Sequence, residues 1–416
     1  MSDSKSPADI WLARLADHLK TERYNRCVAQ NYSAAAKRFV DHLQTEGLLV
    51  GSVQSSDVEQ YLAGLRPSRK FRDRRHRATS GLRKLHRSAI HMLLRLAHGE
   101  WPAAQTPTDG HELRHNQVVS EYDGWMGDLR GLSTETRSDR CAEAYRFLKW
   151  LRENGNKKEF AEIAVAHIDA YVRSRAKFVG RPSCKRITVN LRSFLRHLHF
   201  TGRTGRDFST AVIGPTLYAF EGIPSALRAE DVKKVLHTTR GDRSPIGRRD
   251  YAILMLLTTY GLRAGEITTL CLEDIDWKRN RLRVCHSKTG AHSELPLLRE
   301  PGDAILKYLR CGRPDTTLRE VFMRSRAPYR AFACGSSLYT PIRRRLATAG
   351  VTPLGKKGPH AFRHARAVSL LRSAVPLKVI GDVLGHRSAD STAAYLKLAT
   401  EDLRAVALEI PTGVST

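Results

Sequence analysis

Toward its C-terminus this chain gathers side chains suited to phosphate chemistry. Gly358-Pro359-His360-Ala361-Phe362-Arg363 comes first, then Leu384-Gly385-His386, then Ser391-Thr392-Ala393-Ala394-Tyr395. His360 precedes Arg363 by three residues and His386 precedes Tyr395 by nine. An arginine is a planar fork that fits phosphate oxygens with paired hydrogen bonds. Histidines can donate to the same oxygens or carry a proton. A tyrosine can attack phosphorus once its phenol, with a pKa near 10, loses its proton.

The elements that must hold these residues are partly visible. Pro359 suits the first turn of a helix, and a three-residue step puts His360 and Arg363 on one face of it. Val379, Ile380, Val383 and Leu384 form the buried side of a short helix that Gly385 stops, leaving His386 just past its end. Upstream, Tyr260-Gly261-Leu262-Arg263-Ala264-Gly265-Glu266-Ile267 places Arg263 at a helix start. His286-Ser287-Lys288-Thr289-Gly290 places Lys288 in a turn between two strands.

This ordered set, Arg263, Lys288, His360, Arg363, His386 and Tyr395, resembles the signature of the tyrosine recombinase and phage integrase family. That signature is an arginine box, a β-turn lysine, H-x-x-R, L-G-H and a nucleophilic tyrosine. The resemblance covers about residues 226–410. It implies that Arg263 and Arg363 clamp the phosphate and that the two histidines serve its oxygens or the tyrosine proton. Lys288 would protonate the departing 5′ oxygen, and Tyr395 would form a 3′-phosphotyrosyl link. Glu266 would support the arginines. Because the bond energy is kept in that link, neither cofactor nor metal is implied. In keeping with that, the sequence carries no P-loop and no clustered carboxylates of two-metal type.

Composition points the same way. The chain has 416 residues, 41% of them hydrophobic, and a formal charge of +28. That is long enough for two or three packed domains, and the charge suits a polyanionic partner. No run of eighteen apolar residues predicts a membrane span, and the N-terminus lacks a secretory signal. The seven scattered cysteines have no C-x-x-C spacing and read as reduced thiols. The expected setting is the cytoplasm, in association with the nucleoid.

Two similar helical units precede the catalytic part. In residues 1–100, Tyr32, Ala36, Phe39 and Leu43 make one apolar stripe, and Leu82, Leu85, Ala89, Leu93 and Leu96 another. Residues 113–204 repeat the plan: Arg38-Phe39 matches Arg146-Phe147, Leu43 matches Leu151, Tyr61 matches Tyr171, and Arg87-Ser88 matches Arg192-Ser193. Residues 205–225 read as a linker, and residues 226–416 as the catalytic domain. The expected fold is mainly α: two helical domains of SAM-like, core-binding type, then an α+β domain with a small antiparallel sheet. The resemblance further implies that a short helix at residues 401–410 docks on a neighbouring protomer.

The expected activity is site-specific recombination: cleavage and rejoining of DNA in integration, excision or transposition. The expected partners are double-stranded DNA with inverted-repeat sites, further copies of the chain making a tetramer, and sister recombinases. Two alternatives share parts of the pattern: a type IB topoisomerase, and a decayed integrase that only binds DNA. From Arg66 to Arg87 there are ten Lys or Arg residues and one acid; from Arg173 to Arg206 there are ten and none. If both stretches grip phosphates, the binding constant should fall by roughly 0.9 log units per log unit of salt for each phosphate contacted. Neutralising Arg72, Arg74, Arg75 and Arg77 together should flatten that slope, as should neutralising Arg181, Lys185 and Arg186. A slope unchanged in a salt titration would remove that set from the DNA interface.

Overall fold

A computed structural model of the chain describes residues 7–65, 75–102, 109–154, 160–218, 226–286, 290, 292–353 and 355–385, without the side chains of 75–79 and 161. Residues 104–221 make one compact unit; residues 1–103 with 222–416 make the other.

The first helical set comprises α1 (Pro7–Thr21), α2 (Arg26–Thr45), α3 (Ser55–Gly64) and α4 (Arg75–His98). Asn25 starts α2 by accepting from the amides of Cys27 and Val28 at 2.8 and 3.3 Å, a standard use of asparagine at an N-cap. Gly47, at φ +68°, turns the chain out of it. Leu15, Leu19, Ala36, Phe39, Leu43, Ile90 and Leu93 interlock as the core.

The second set is α5 (Gly110–Asp128), α6 (Thr134–Glu153), α7 (Val165–Ala176) and α8 (Arg181–Phe200). Tyr122, Phe147, Leu151, Tyr171, Leu191, Phe194 and Leu198 fill its core. Of the pairs matched in the sequence, the aromatic ones occupy like places. Phe39 and Tyr61 meet edge to face with centroids 5.1 Å apart at 67°, and so do Phe147 and Tyr171. The polar floor differs. The Tyr61 hydroxyl pairs with His86 Nδ1 at 3.1 Å, whereas Tyr171 donates to the buried Glu143 carboxylate. Arg146 and Arg175 balance that carboxylate.

The C-terminal part contains α9 (Ala229–Gly241), α10 (Pro245–Thr259) and α11 (Ala264–Thr268). Strands β1 (Ile275–Asp276), β2 (Arg281–Cys285) and β3 (His292–Pro296) follow, then α12 (Arg299–Cys311), α13 (Tyr339–Thr348), α14 (Pro359–Arg372) and α15 (Leu377–Leu384). The strands form one antiparallel sheet in the order β1-β2-β3, with Leu282 opposite Leu295 and Cys285 opposite His292. Leu282 and Val284 face inward while Arg281, Arg283 and Cys285 face out, which is the period-2 pattern of a half-buried strand. The run Ala252–Leu257 is buried on all sides, because α9, α12, α13 and α14 all pack on α10. The fold is thus mainly α with a small antiparallel sheet, as expected. Among the described residues the three main apolar cores are separate, one in each helical set and one around α10, and a small fourth joins Ala367, Ile380 and Leu384.

An ionic knot fastens α10 to α13. Asp250 is fully buried and accepts from Arg249 at 2.7 Å, Arg345 at 2.7 Å and Arg344 at 3.2 Å. Arg345 also donates to Asp242 at 2.7 Å. Hydrogen bonds from Ser244, and then from Arg345, pull the Asp242 carboxyl down to a pKa of about 2. Removing one member of such a buried set strands the others. Asp250→Ala should therefore cost about 3–5 kcal/mol, read as a lowered midpoint of urea unfolding. A cost below about 1 kcal/mol would mean the arginines find other partners at no penalty.

Candidate active site

The site grows from two tight turns that bring distant elements together. Helix α10 ends at Thr259, and Gly261 follows at φ +67°. A Cβ there would stand 2.6 Å from Leu384 Cδ2, so this approach also needs glycine. Arg263 is the N-cap of α11, and its amide donates to Glu266 Oε2 at 2.7 Å. At the far end, Gly385 closes α15 in the left-handed conformation at φ +61°, the common glycine C-cap.

Two guanidinium forks meet the end of α15. Arg263 Nη2 donates to the Gly385 carbonyl at 2.6 Å, and Arg363 Nη2 donates to the neighbouring Leu384 carbonyl. Arg363 Nη1 reaches the Gly261 carbonyl at 2.6 Å. The last carbonyls of a helix lack partners within it and lie at the negative end of its dipole, so they suit cationic donors. Arg363 is only 4% exposed.

Glu266, 2% exposed, is the anionic centre of this arrangement. Its Oε1 accepts from Arg263 Nη1 at 2.8 Å and lies 2.8 Å from His286 Nδ1. Burial raises its pKa, but the hydrogen bonds from His286 and Arg263 outweigh that, and the carboxyl falls below its ordinary value. His286 Nε2 in turn lies 2.8 Å from Ser293 Oγ on β3. A Cβ at Gly385 would come within 2.7 Å of His286 Cε1, so the imidazole packs directly on the capping turn.

The residues expected from the sequence divide into three groups. Arg263 and Arg363 converge on the carbonyls of residues 384 and 385. His360 is an exposed residue in the first turn of α14, and its ring lies 6.2 Å from that of His364. It shares a helix face with Arg363, yet one side chain points out while the other is drawn inward to backbone carbonyls. Lys288, His386 and Tyr395 lie outside the described residues, as does the helix expected at 401–410. Around Lys288, the Gly290 amide donates to the His286 carbonyl at 2.9 Å. His386 directly follows Gly385 in the chain.

Of the expected DNA contacts, Arg181 and Arg186 are exposed near the start of α8 and Lys185 is half-buried. Arg181 donates to the Thr216 carbonyl at 2.7 Å, and Arg186 pairs with Asp139 at 3.4 Å. Arg75 and Arg77 lie on α4, their side chains outside the description; Arg72 and Arg74 lie outside it altogether. Among the described residues no group of three His, Cys, Asp or Glu side chains is placed to hold a metal ion, and no helix is long and apolar enough to cross a membrane. Sequence reasoning gave His286 no role. Its contact with Glu266 spans twenty residues and two elements, and no periodicity signals that.

The linkage between charge and stability can be checked at Glu266. Its depressed pKa contributes stability above the unfolded value of ~4.3, and that contribution is lost as pH falls through the folded value. Glu266→Gln should therefore be less stable than wild type at pH 7, and the gap should close on acidification. Parallel stability curves from pH 7 to pH 3 would show that the carboxylate charge does not hold the arginine.

The phage integrase family profile matches residues 225–402. The chain is 32% identical over 407 residues to "Putative integrase/recombinase y4rA" of Sinorhizobium fredii (strain NBRC 101917 / NGR234), covering 98% of this chain and 95% of that one. It is 27% identical over 292 residues to tyrosine recombinase XerD of Vibrio cholerae, covering 69% of this chain and 93% of that one. The structure of a lambda integrase tetramer bound to a Holliday junction shares the fold, with TM-score 0.53 and 17% identity over 78% of this chain and 87% of that one.

Proposed function

This chain belongs to the phage integrase family and is a tyrosine-type DNA recombinase, and we propose that it cuts and rejoins DNA at specific sites through a 3′-phosphotyrosyl intermediate. The observation that carries this reading is the convergence of Arg263 and Arg363 on two adjacent carbonyls at the end of α15. The chain runs directly from there into His386 and reaches Tyr395 ten residues after Gly385.

The chemistry follows from what each group can do. Arginine carries five N–H donors. Those tethered to Glu266, Gly385, Gly261 and Leu384 fix the plane of each fork, and the others serve the non-bridging oxygens of the scissile phosphate. As negative charge grows on those oxygens, donors already in place stabilise it without reorganising. Tyr395 loses its phenolic proton, with His360 or His386 as the group that takes or relays it, and its oxygen attacks phosphorus. The bond from phosphorus to the 5′ oxygen breaks, and Lys288 protonates that oxygen. The 5′ hydroxyl of a partner strand then attacks the phosphotyrosine, returns its proton and releases the tyrosine.

The division into residues 1–100, 113–204 and 226–416 belongs to this proposal, supported by the three separate cores. So does the grip of the two basic stretches on phosphates. The lambda integrase neighbour is a tetramer on a junction, and a tetramer on inverted-repeat DNA, made of this chain alone or with sister recombinases, fits the same chemistry. Transposition or integration of a DNA element is the use we assign to it, in the compartment that holds the DNA.

The test is a nicked suicide substrate that traps the covalent adduct. Wild type should give adduct and Tyr395→Phe none, while single-site DNA binding stays the same. Arg263→Ala and Arg363→Ala should each slow cleavage a hundredfold or more, the scale of about 2.7–4 kcal/mol for a lost transition-state donor. Adduct from the phenylalanine variant would sink the assignment of the nucleophile. Equal, modest losses of rate and affinity would reduce the arginines to phosphate anchors.

A further inference from the structure

We propose that His286 is a positioning residue for strand cleavage, a clasp that holds the Glu266 carboxylate and, through it, the Arg263 clamp in one fixed orientation. The inference rests on the recombinase reading above, in which Arg263 meets the scissile phosphate.

Three separate parts of the chain meet on this one imidazole. Nδ1 lies 2.8 Å from Glu266 Oε1, the same oxygen that accepts from Arg263 Nη1 at 2.8 Å. An ionised carboxylate only accepts, so Nδ1 is the donor. Nε2 lies 2.8 Å from Ser293 Oγ. His286 follows β2 and Ser293 lies in β3, so the ring ties the two strands together at the mouth of the hairpin. The Nδ1–Cε1–Nε2 part of the ring packs on Gly385, where a Cβ would stand 2.7 Å from Cε1. Gly385 supplies the carbonyl that holds the other amino group of Arg263.

The chemistry calls for histidine. The site needs a flat group with polar atoms on opposite edges, thin enough to slide beneath the capping glycine, and the ring is 7% exposed. An apolar side chain of the same size would leave a buried carboxylate oxygen one donor short, which is costly. Glu266 could then rotate and tilt the Arg263 fork. Active-site groups work only within about 0.5 Å and 10–20° of the productive geometry. The expected loss is therefore in the chemical step and not in DNA affinity.

The experiment uses the full chain on the nicked substrate, with single-turnover cleavage rate and single-site affinity measured separately. His286→Ala should cleave about tenfold to a hundredfold more slowly, the usual cost of removing the hydrogen-bonding support of an active-site group, with affinity unchanged. His286→Asn, whose amide nitrogen takes the place of Nδ1, should recover most of the rate, and His286→Gln, which mimics Nε2, much less. On an Arg263→Ala background His286→Ala should add nothing, a result that general destabilisation would not give. If His286→Ala folds poorly, Ser293→Ala and His286→Asn carry the test, the first with a smaller loss of rate alone. Wild-type cleavage by His286→Ala, a loss that appears in affinity, no advantage of Asn over Gln, or an additive loss on Arg263→Ala would each overturn the proposal. A normal rate for Arg263→Ala would instead overturn the recombinase role given to that arginine. A slow Arg263→Ala with an unaffected His286→Ala would remove this inference alone.

Discussion

The site depends on holding two guanidinium groups, largely withdrawn from water, at the C-terminal end of one short helix. A desolvated cation needs acceptors. Here they are the carbonyls of Gly261, Leu384 and Gly385 together with the Glu266 carboxylate. Once these partners are required, several other features follow. The chain must turn sharply at residues 261 and 385, and both turns are left-handed glycines. Side chains larger than hydrogen would strike Leu384 at the first and His286 at the second. The two turns are therefore one packing problem seen from opposite sides.

The remainder of the C-terminal part supplies rigidity. Helix α10 is apolar on every side along Ala252–Leu257 and anchors four helices. Its second turn is fastened to α13 through Asp250 and Arg345. Its last turn leads into Gly261 and Arg263. The sheet has a different task. A hairpin with only a two-residue third strand is marginal without a surface to pack on, and β2 buries Leu282 and Val284 in the α10 core. At the open end of the hairpin, His286 Nε2 meets Ser293 Oγ and links the two strands.

Much of this was legible in the sequence, and the parts that were not share a physical cause. Helix ends announced themselves through Pro359 and Gly385, because caps and turns are decided within a few residues. The buried α10 run and the alternation of β2 were equally local. The doubling of the helical sets was visible through Phe39 and Phe147 with Tyr61 and Tyr171, and those rings meet at the same distance and angle in both. The polar partners were not legible. Nothing near Tyr171 announces that Glu143 lies beneath it where His86 serves Tyr61, and nothing near Glu266 announces His286. Such contacts are set by the packing of whole elements. The opposite exposures of His360 and Arg363 have the same origin: a shared helix face was readable, but which end of it meets carbonyls was not.

The tethering of the arginines bears on how catalysis could be driven. In solution a guanidinium must shed water and lose rotamer freedom before it can clamp a phosphate. In this fold those costs fall on folding, because backbone and carboxylate groups hold Arg263 and Arg363 in plane. On the proposed reading, the stabilisation they would offer a developing phosphate charge needs no rearrangement, which is how electrostatic preorganisation accelerates a reaction. The same logic explains why a buried carboxylate is tolerated so close to where a polyanion would bind. Glu266 repels phosphate, but its charge is spent on Arg263 and His286, and without it the fork would lose the partner that fixes its plane. A cationic site that must stay rigid before its anion arrives therefore carries an internal anion of its own.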